Sequence, residues 1–193
     1  MILTDREIQI ALEKKQITIE PPPKIDQYSS TSLDLTLDKN ITEFQSHLSG
    51  DGIETIIDPS ARGFVAEKTL QKITEPKVIS DEGYLLQPNT LVLGWTVETL
   101  KLPVHSRLAA RVEGKSSLAR LGLGVHLTAP TIHSGFSYPI RLEMVNHGHV
   151  PIRLRAGMRI CQLVFELTLG TPQKGFEALQ SAPMPPLPEG GQN

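Results

Sequence analysis

The chain has 193 residues and a mass of 21.2 kDa, enough for one domain with a sizeable core and short for two. Nineteen Lys and Arg face 21 Asp and Glu, a formal charge of −2, so no global basic field exists to hold a nucleic acid polymer or an anionic membrane. The single cysteine, Cys161, excludes an internal disulfide framework and every zinc site built from two or more thiolates.

The predicted elements begin with a helix over Thr4 to Lys15. Thr4 and Glu7 have capping-box spacing, and Ile8, Ala11 and Leu12 recur at helical intervals. The run Pro21-Pro22-Pro23 stops anything regular. From Thr31 the period changes: Leu33, Leu35 and Leu37 alternate with Ser32, Asp34 and Thr36, the pattern of a half-buried strand. The polar segment Asp58 to Ser80, with Lys68, Lys72 and Lys77, reads as an insertion or a long hairpin. Further strands are predicted over Thr90 to Val97, Ile140 to Val145, Ile152 to Arg155 and Ile160 to Leu167, separated by Gly, Pro, Asn and His clusters. A short helix is predicted near Ser116. Residues 1 to 180 are expected to form one β domain, a sandwich or distorted barrel. Ser181 to Asn193 carries four prolines and reads as a tail unable to offset its own ordering entropy. No run of 18 apolar residues occurs, and Met1 to Glu20 mixes charge with aliphatics, so a soluble, cytoplasmic protein is expected.

Two stretches concentrate chemistry. In Gly114-Lys115-Ser116-Ser117-Leu118-Ala119-Arg120, a glycine opens a helical turn that holds two cations and two hydroxyls, a donor set suited to phosphate. It lacks Walker A spacing, and a Gly-Lys-Ser-Ser run taken alone is most often a solvated turn. In Pro139-Ile140-Arg141-Leu142-Glu143-Met144-Val145-Asn146, alternation sends Ile140, Leu142 and Met144 to one face and Arg141 with Glu143 to the other. On a solvated face that pair is ordinary surface charge; in a pocket Glu143 is a candidate general base. His126, His133, His147 and His149 show no metal-ligand spacing, and no protein-held metal is expected.

These stretches together resemble the dCTP deaminases of the trimeric dUTPase-like superfamily. The resemblance is carried by Gly-Lys-Ser-Ser-Leu-Ala-Arg-Leu-Gly-Leu at 114 to 123, by Val125-His126-Leu127-Thr128-Ala129, by Leu142-Glu143 with Asn146, and by Gly157-Met158-Arg159-Ile160-Cys161-Gln162-Leu163. It implies a mainly β, jelly-roll-like distorted barrel with an N-terminal helix and one short central helix. It also implies an enzyme, a hydrolase acting on the C–N bond of a cyclic amidine, that converts dCTP to dUTP and ammonia. Glu143 matches the catalytic glutamate, which activates water for attack at cytosine C4, and Ser116 and Arg120 match residues beside it. Lys115 and Ser117 match triphosphate positions. Ala129, His133, the backbone of Arg141 and Leu142, and Gln162 complete the implied substrate site. Magnesium would arrive with the triphosphate, and a homotrimer would supply active sites between subunits.

One cysteine cannot build the His/Cys/Cys or Cys₃ centre of zinc deaminases, which leaves a carboxylate to activate the water. Two departures stand out. Ile132-His133-Ser134-Gly135-Phe136 has His133 where the family carries Asp, and neutral imidazole is a poor substitute for a carboxylate in directing water at a phosphate. The family's closing tail has only Gln173-Lys174-Gly175-Phe176 as a counterpart, a shortened lid. A dUTPase, a bifunctional enzyme giving dUMP, and a non-catalytic nucleotide-binding relative are the alternatives.

Overall fold

The structure is a computed structural model and describes residues 1–45 and 56–176. Helix α1 (Asp5–Glu13) follows Thr4, whose hydroxyl bonds the Glu7 carboxylate, and buries Ile8 and Ala11 against the sheet. Residues before it are tied to the last strand, with the Leu3 amide donating to the Phe165 carbonyl (2.9 Å) and the Leu167 amide to Met1 (2.9 Å). Short strands β1 (Thr18–Glu20) and β2 (Tyr28–Ser29) lead into β3 (Ser32–Phe44), at 13 residues the longest strand among the described residues.

Asp58 to Ser80 is not a simple hairpin. It contains α2 (Ala66–Ile73), which runs directly into β4 (Thr74–Val78), an edge strand paired with β3. Pro76 fits there because an edge strand has no second neighbour to receive its missing N–H. Next come β5 (Tyr84–Leu86), β6 (Leu91–Lys101), β7 (Leu108–Gly114), the one-turn helix α3 (Ser116–Ala119), β8 (Leu123–Gly124) and β9 (Thr131–Ile132). The chain then forms β10 (Ser137–Asn146), β11 (Ile152–Leu154) and β12 (Arg159–Leu167).

Ten strands form one curled sheet with the spine β8-β10-β6-β3-β12-β7-β9, and β5 pairs with β11 in a separate ribbon. All pairings are antiparallel, which permits the short Gly- and Pro-rich connections seen in the sequence. Leu33, Leu35, Leu37, Leu142, Met144, Leu163 and Phe165 meet in the core. The mainly β fold, the N-terminal helix and the short helix near Ser116 agree with the sequence reading; α2 is an addition to it. Ser32 and Asp34 depart from the expected half-buried strand, since both are buried although they lie opposite the leucines. Polar partners cover that face: Gln162 accepts from the Ser32 hydroxyl (2.9 Å) and Lys115 donates to Asp34 (2.5 Å). Ser181 to Asn193 lies outside the described residues.

Candidate active site

Strand β10 alternates as its sequence requires. Ile140, Leu142 and Met144 are buried in the core, while Arg141 and Glu143 share the other face and are half-buried. A bulge just before Arg141 sets which residue it meets. Opposite Ile140, β6 carries the extra residues Thr96 to Glu98, and the Thr96 hydroxyl fills the gap by accepting from the Ile140 amide (2.9 Å) and donating to the Glu98 carbonyl (2.7 Å). Beyond the bulge Arg141 lies across from Trp95 and Glu143 across from Leu93.

Arg141 and Glu143 line a cavity of about 180 Å³ with His126, Ala129, Val112 and Phe176. Its walls are mostly apolar, so a charged group inside interacts more strongly than on an open face. Phe176 closes one side through an edge-on contact with Phe136, ring centroids 5.1 Å apart, and its amide donates to the Ser134 carbonyl (2.8 Å). Gly135 makes this approach possible: it has φ +89°, and a Cβ there would lie 2.7 Å from the Phe176 nitrogen. The segment read as a shortened lid thus packs its last described residue against the cavity.

The polar groups of the cavity are held from behind. Arg141 Nη1 donates to both oxygens of Glu67 on α2 (3.3 and 3.0 Å), and its guanidinium carbon sits 5.1 Å from the Trp95 ring centroid. Its buried Nε has no hydrogen-bond partner among the described residues, and neither has His126 Nδ1; the other His126 nitrogen stands 3.9 Å from Glu113. The Arg141 side chain engages Glu67 and leaves Glu143 without an ion pair among the described residues.

A second polar group gathers at the start of α3. Lys115 is paired with Asp34, and Gln162 beside it donates to the Gly114 carbonyl (3.2 Å). Ser116, Ser117 and Arg120 lie exposed on α3 and just after it. None of Lys115, Ser116, Ser117, Arg120 and Gln162 lines the Glu143 cavity. His133 is exposed beside the cavity-lining Ile132, and the Leu142 side chain is in the core, leaving only its backbone for a ligand. Thus β10 brings together Glu143, Arg141 and, through the loop after β8, Ala129, while Ser116 and Arg120 are not among the residues that line their cavity. Sequence reasoning did not select Glu67, Trp95, His126 or Phe176 for the site. Two of them carried a signal, His126 by its position within Val125 to Ala129 and Phe176 as the end of the segment read as a shortened lid.

A family model described as dCTP deaminase-like matches residues 2–168. The chain belongs to this family. A dCTP deaminase from Marinomonas sp. is 36% identical over 184 residues, 94% of this chain and 91% of the relative. A "dCTP deaminase, dUMP-forming" from Nocardioides sp. is 39% identical over 166 residues, 86% and 79% of the two chains. Among solved structures, the 2′-deoxycytidine 5′-triphosphate deaminase from Agrobacterium tumefaciens superimposes with a TM-score of 0.65 at 23% identity, over 86% of this chain. This chain spans about half of that one, 48%. The fold is the dUTPase-like one expected from the sequence.

Proposed function

We propose that this protein hydrolyses dCTP to dUTP and ammonia, with Glu143 as the base that activates water. The observation that carries the reading is the placement of Glu143: it reaches from the middle of β10 into a mostly apolar cavity with no ion pair among the described residues, in a member of the dCTP deaminase family. A carboxylate in that setting has its oxygens free to accept from a water molecule instead of being bonded to a fixed cation. Glu143 accepts one proton from water as the hydroxyl adds to C4. That proton passes to N3, the remaining hydroxyl proton goes to the exocyclic nitrogen, and the C4–N bond breaks to release ammonia. Arg141 Nε and His126 Nδ1 are both without protein partners among the described residues; the first is a donor for the base at this point, the second a donor or an acceptor.

Lys115 and Ser117 supply charge and a hydroxyl to the triphosphate, and the exposed Ser116 and Arg120 act beside Glu143 on the water or the base. Because these residues do not line the Glu143 cavity of their own subunit, the complete site joins Glu143 of one copy to α3 of another, as a homotrimer permits. Magnesium enters as part of the dCTP complex. The experiment is ammonia release from dCTP with magnesium, together with Glu143→Gln. Removing the base is expected to cost at least about 100-fold in kcat, with nucleotide binding retained, and undiminished turnover overturns the assignment. A second reading, continuation to dUMP and pyrophosphate, is favoured by the dUMP-forming Nocardioides relative and opposed by His133. Pyrophosphate measured beside ammonia separates the two.

A further inference from the structure

Two strands of this fold carry the same Arg-x-Glu pattern on one face and treat it differently. On β7 the pair closes on itself: Arg111 Nη1 lies 3.2 Å from Glu113, two residues along the strand, while its other nitrogens reach Glu166 (2.9 Å). An arginine and a glutamate two apart on a strand face can therefore bond directly in this fold. On β10 they do not. Arg141 is turned onto Glu67 and held over Trp95, its cross-strand neighbour, and Glu143 is left unpaired among the described residues.

We propose that Glu67 of α2 is a positioning residue for the deamination: with Trp95 it holds the Arg141 guanidinium away from Glu143, keeping the base free for water and the Arg141 Nε–H free for an acceptor on the pyrimidine. The inference rests on the proposed function of Glu143 and assigns α2 and its acidic first turn a part in it. The physical reason is competition for one cation. A carboxylate bonded to arginine is a weaker base, because the neighbouring positive charge favours its ionised form. Satisfying that cation with a second carboxylate on the far side removes the competitor, and the face of Trp95 adds an attraction that fixes the plane. Among the described residues, the charged and titratable groups facing Glu143 are Arg141 on its own strand, backed by Glu67, and His126 from the loop after β8, backed by Glu113 of β7.

The test is Glu67→Gln, with Glu67→Asp as the conservative control. In Glu67→Gln the released guanidinium turns to Glu143. The expected result is a kcat reduced at least about 10-fold and an acidic limb of the kcat profile moved down by about one pH unit, as for a carboxylate gaining an adjacent arginine. Glu67→Asp keeps the charge and is expected to hold the limb at its wild-type position. A merely structural role for Glu67 would lower activity in both variants without moving the limb, and that outcome overturns the proposal, as does an unaltered Glu67→Gln enzyme. A crystal structure of nucleotide-free Glu67→Gln reads the same inference without any turnover. Arg141 within hydrogen-bond distance of Glu143 supports it, and Arg141 still over Trp95 refutes it. Absence of ammonia release by the wild-type protein would instead count against the proposed function.

Discussion

Asn146 ends β10 and fastens the loop that follows. It is fully buried, its Nδ2 donates to the Leu86 carbonyl (3.0 Å) and the Val150 carbonyl (2.9 Å), and its Oδ1 accepts from the Gly148 amide (2.9 Å). The loop packs in turn on the chain leaving α3: the His147 amide donates to Gly122 (2.7 Å), and a Cβ on Gly122 would lie 2.5 Å from the Gly148 nitrogen. Asn146→Ala removes three hydrogen bonds and leaves their partners to be satisfied otherwise. At about 1 kcal/mol net for each neutral bond, the loss is about 3 kcal/mol. For a chain of this size that corresponds to a fall in Tm of about 6–12 °C. Asn146→Asp keeps the shape and the bond from Gly148 but turns a carboxylate toward two carbonyl oxygens and buries a charge. It is therefore expected to be worse than alanine at pH 7 and to recover part of the deficit in acid, where the protonated group donates once. Urea unfolding of the three proteins at equal concentration measures this. An alanine variant within about 1 kcal/mol of wild type, or an aspartate variant more stable than the alanine one at neutral pH, would refute the reasoning.

Glu43 gives a pH prediction. The Lys77 ammonium (2.5 Å) and the Tyr84 hydroxyl (2.8 Å) hold its carboxyl below the usual carboxylate range. Its contribution is complete above the ordinary carboxylate value and disappears as pH falls through the depressed folded one, so Glu43→Gln should flatten the acid side of a stability–pH curve and leave a parallel offset above it. An acid slope identical to wild type would remove Glu43 from that role. Exhaustive chelation of zinc, followed by the ammonia assay with magnesium restored, is expected to leave turnover unchanged, because a single cysteine cannot complete a zinc deaminase centre. Loss reversed by zinc alone would contradict that.

The sheet was legible where side chains alternate against one shared core. Leu33-Leu35-Leu37 and Ile140-Leu142-Met144 announce their strands because each apolar set is buried with period two. The same alternation places Arg141 and Glu143 on one face from the sequence alone. Strand β7 was missed because Leu108, Ala110 and Val112 are a weak apolar set interleaved with Ala109 and Arg111, and α2 because its eight residues include only a few aliphatics. The buried state of Asp34 was illegible for a different reason. It depends on Lys115, 81 residues away, and on strand neighbours no local pattern encodes. Glu67 is the same case: its meeting with Arg141 joins residues 74 apart.

That Ser116 and Arg120 do not line the Glu143 cavity determines what kind of experiment can test the proposed site. If each site takes Glu143 from one subunit and Arg120 from its neighbour, two inactive variants can repair one another. Glu143→Gln supplies intact Arg120, and Arg120→Ala supplies intact Glu143. In an equal mixture refolded together, an interface carries both intact residues only when the Glu143 side comes from one variant and the Arg120 side from the other. Random assembly of a closed ring then restores about a quarter of the sites. Each variant alone has none. A site contained within one subunit predicts no recovery at any ratio, since every chain lacks one of the two groups. Recovery near a quarter, varying with the mixing ratio as the product of the two fractions, would place the phosphate-binding turn and the base on different copies. Baseline activity at every ratio from correctly assembled, nucleotide-binding mixtures would refute the shared site.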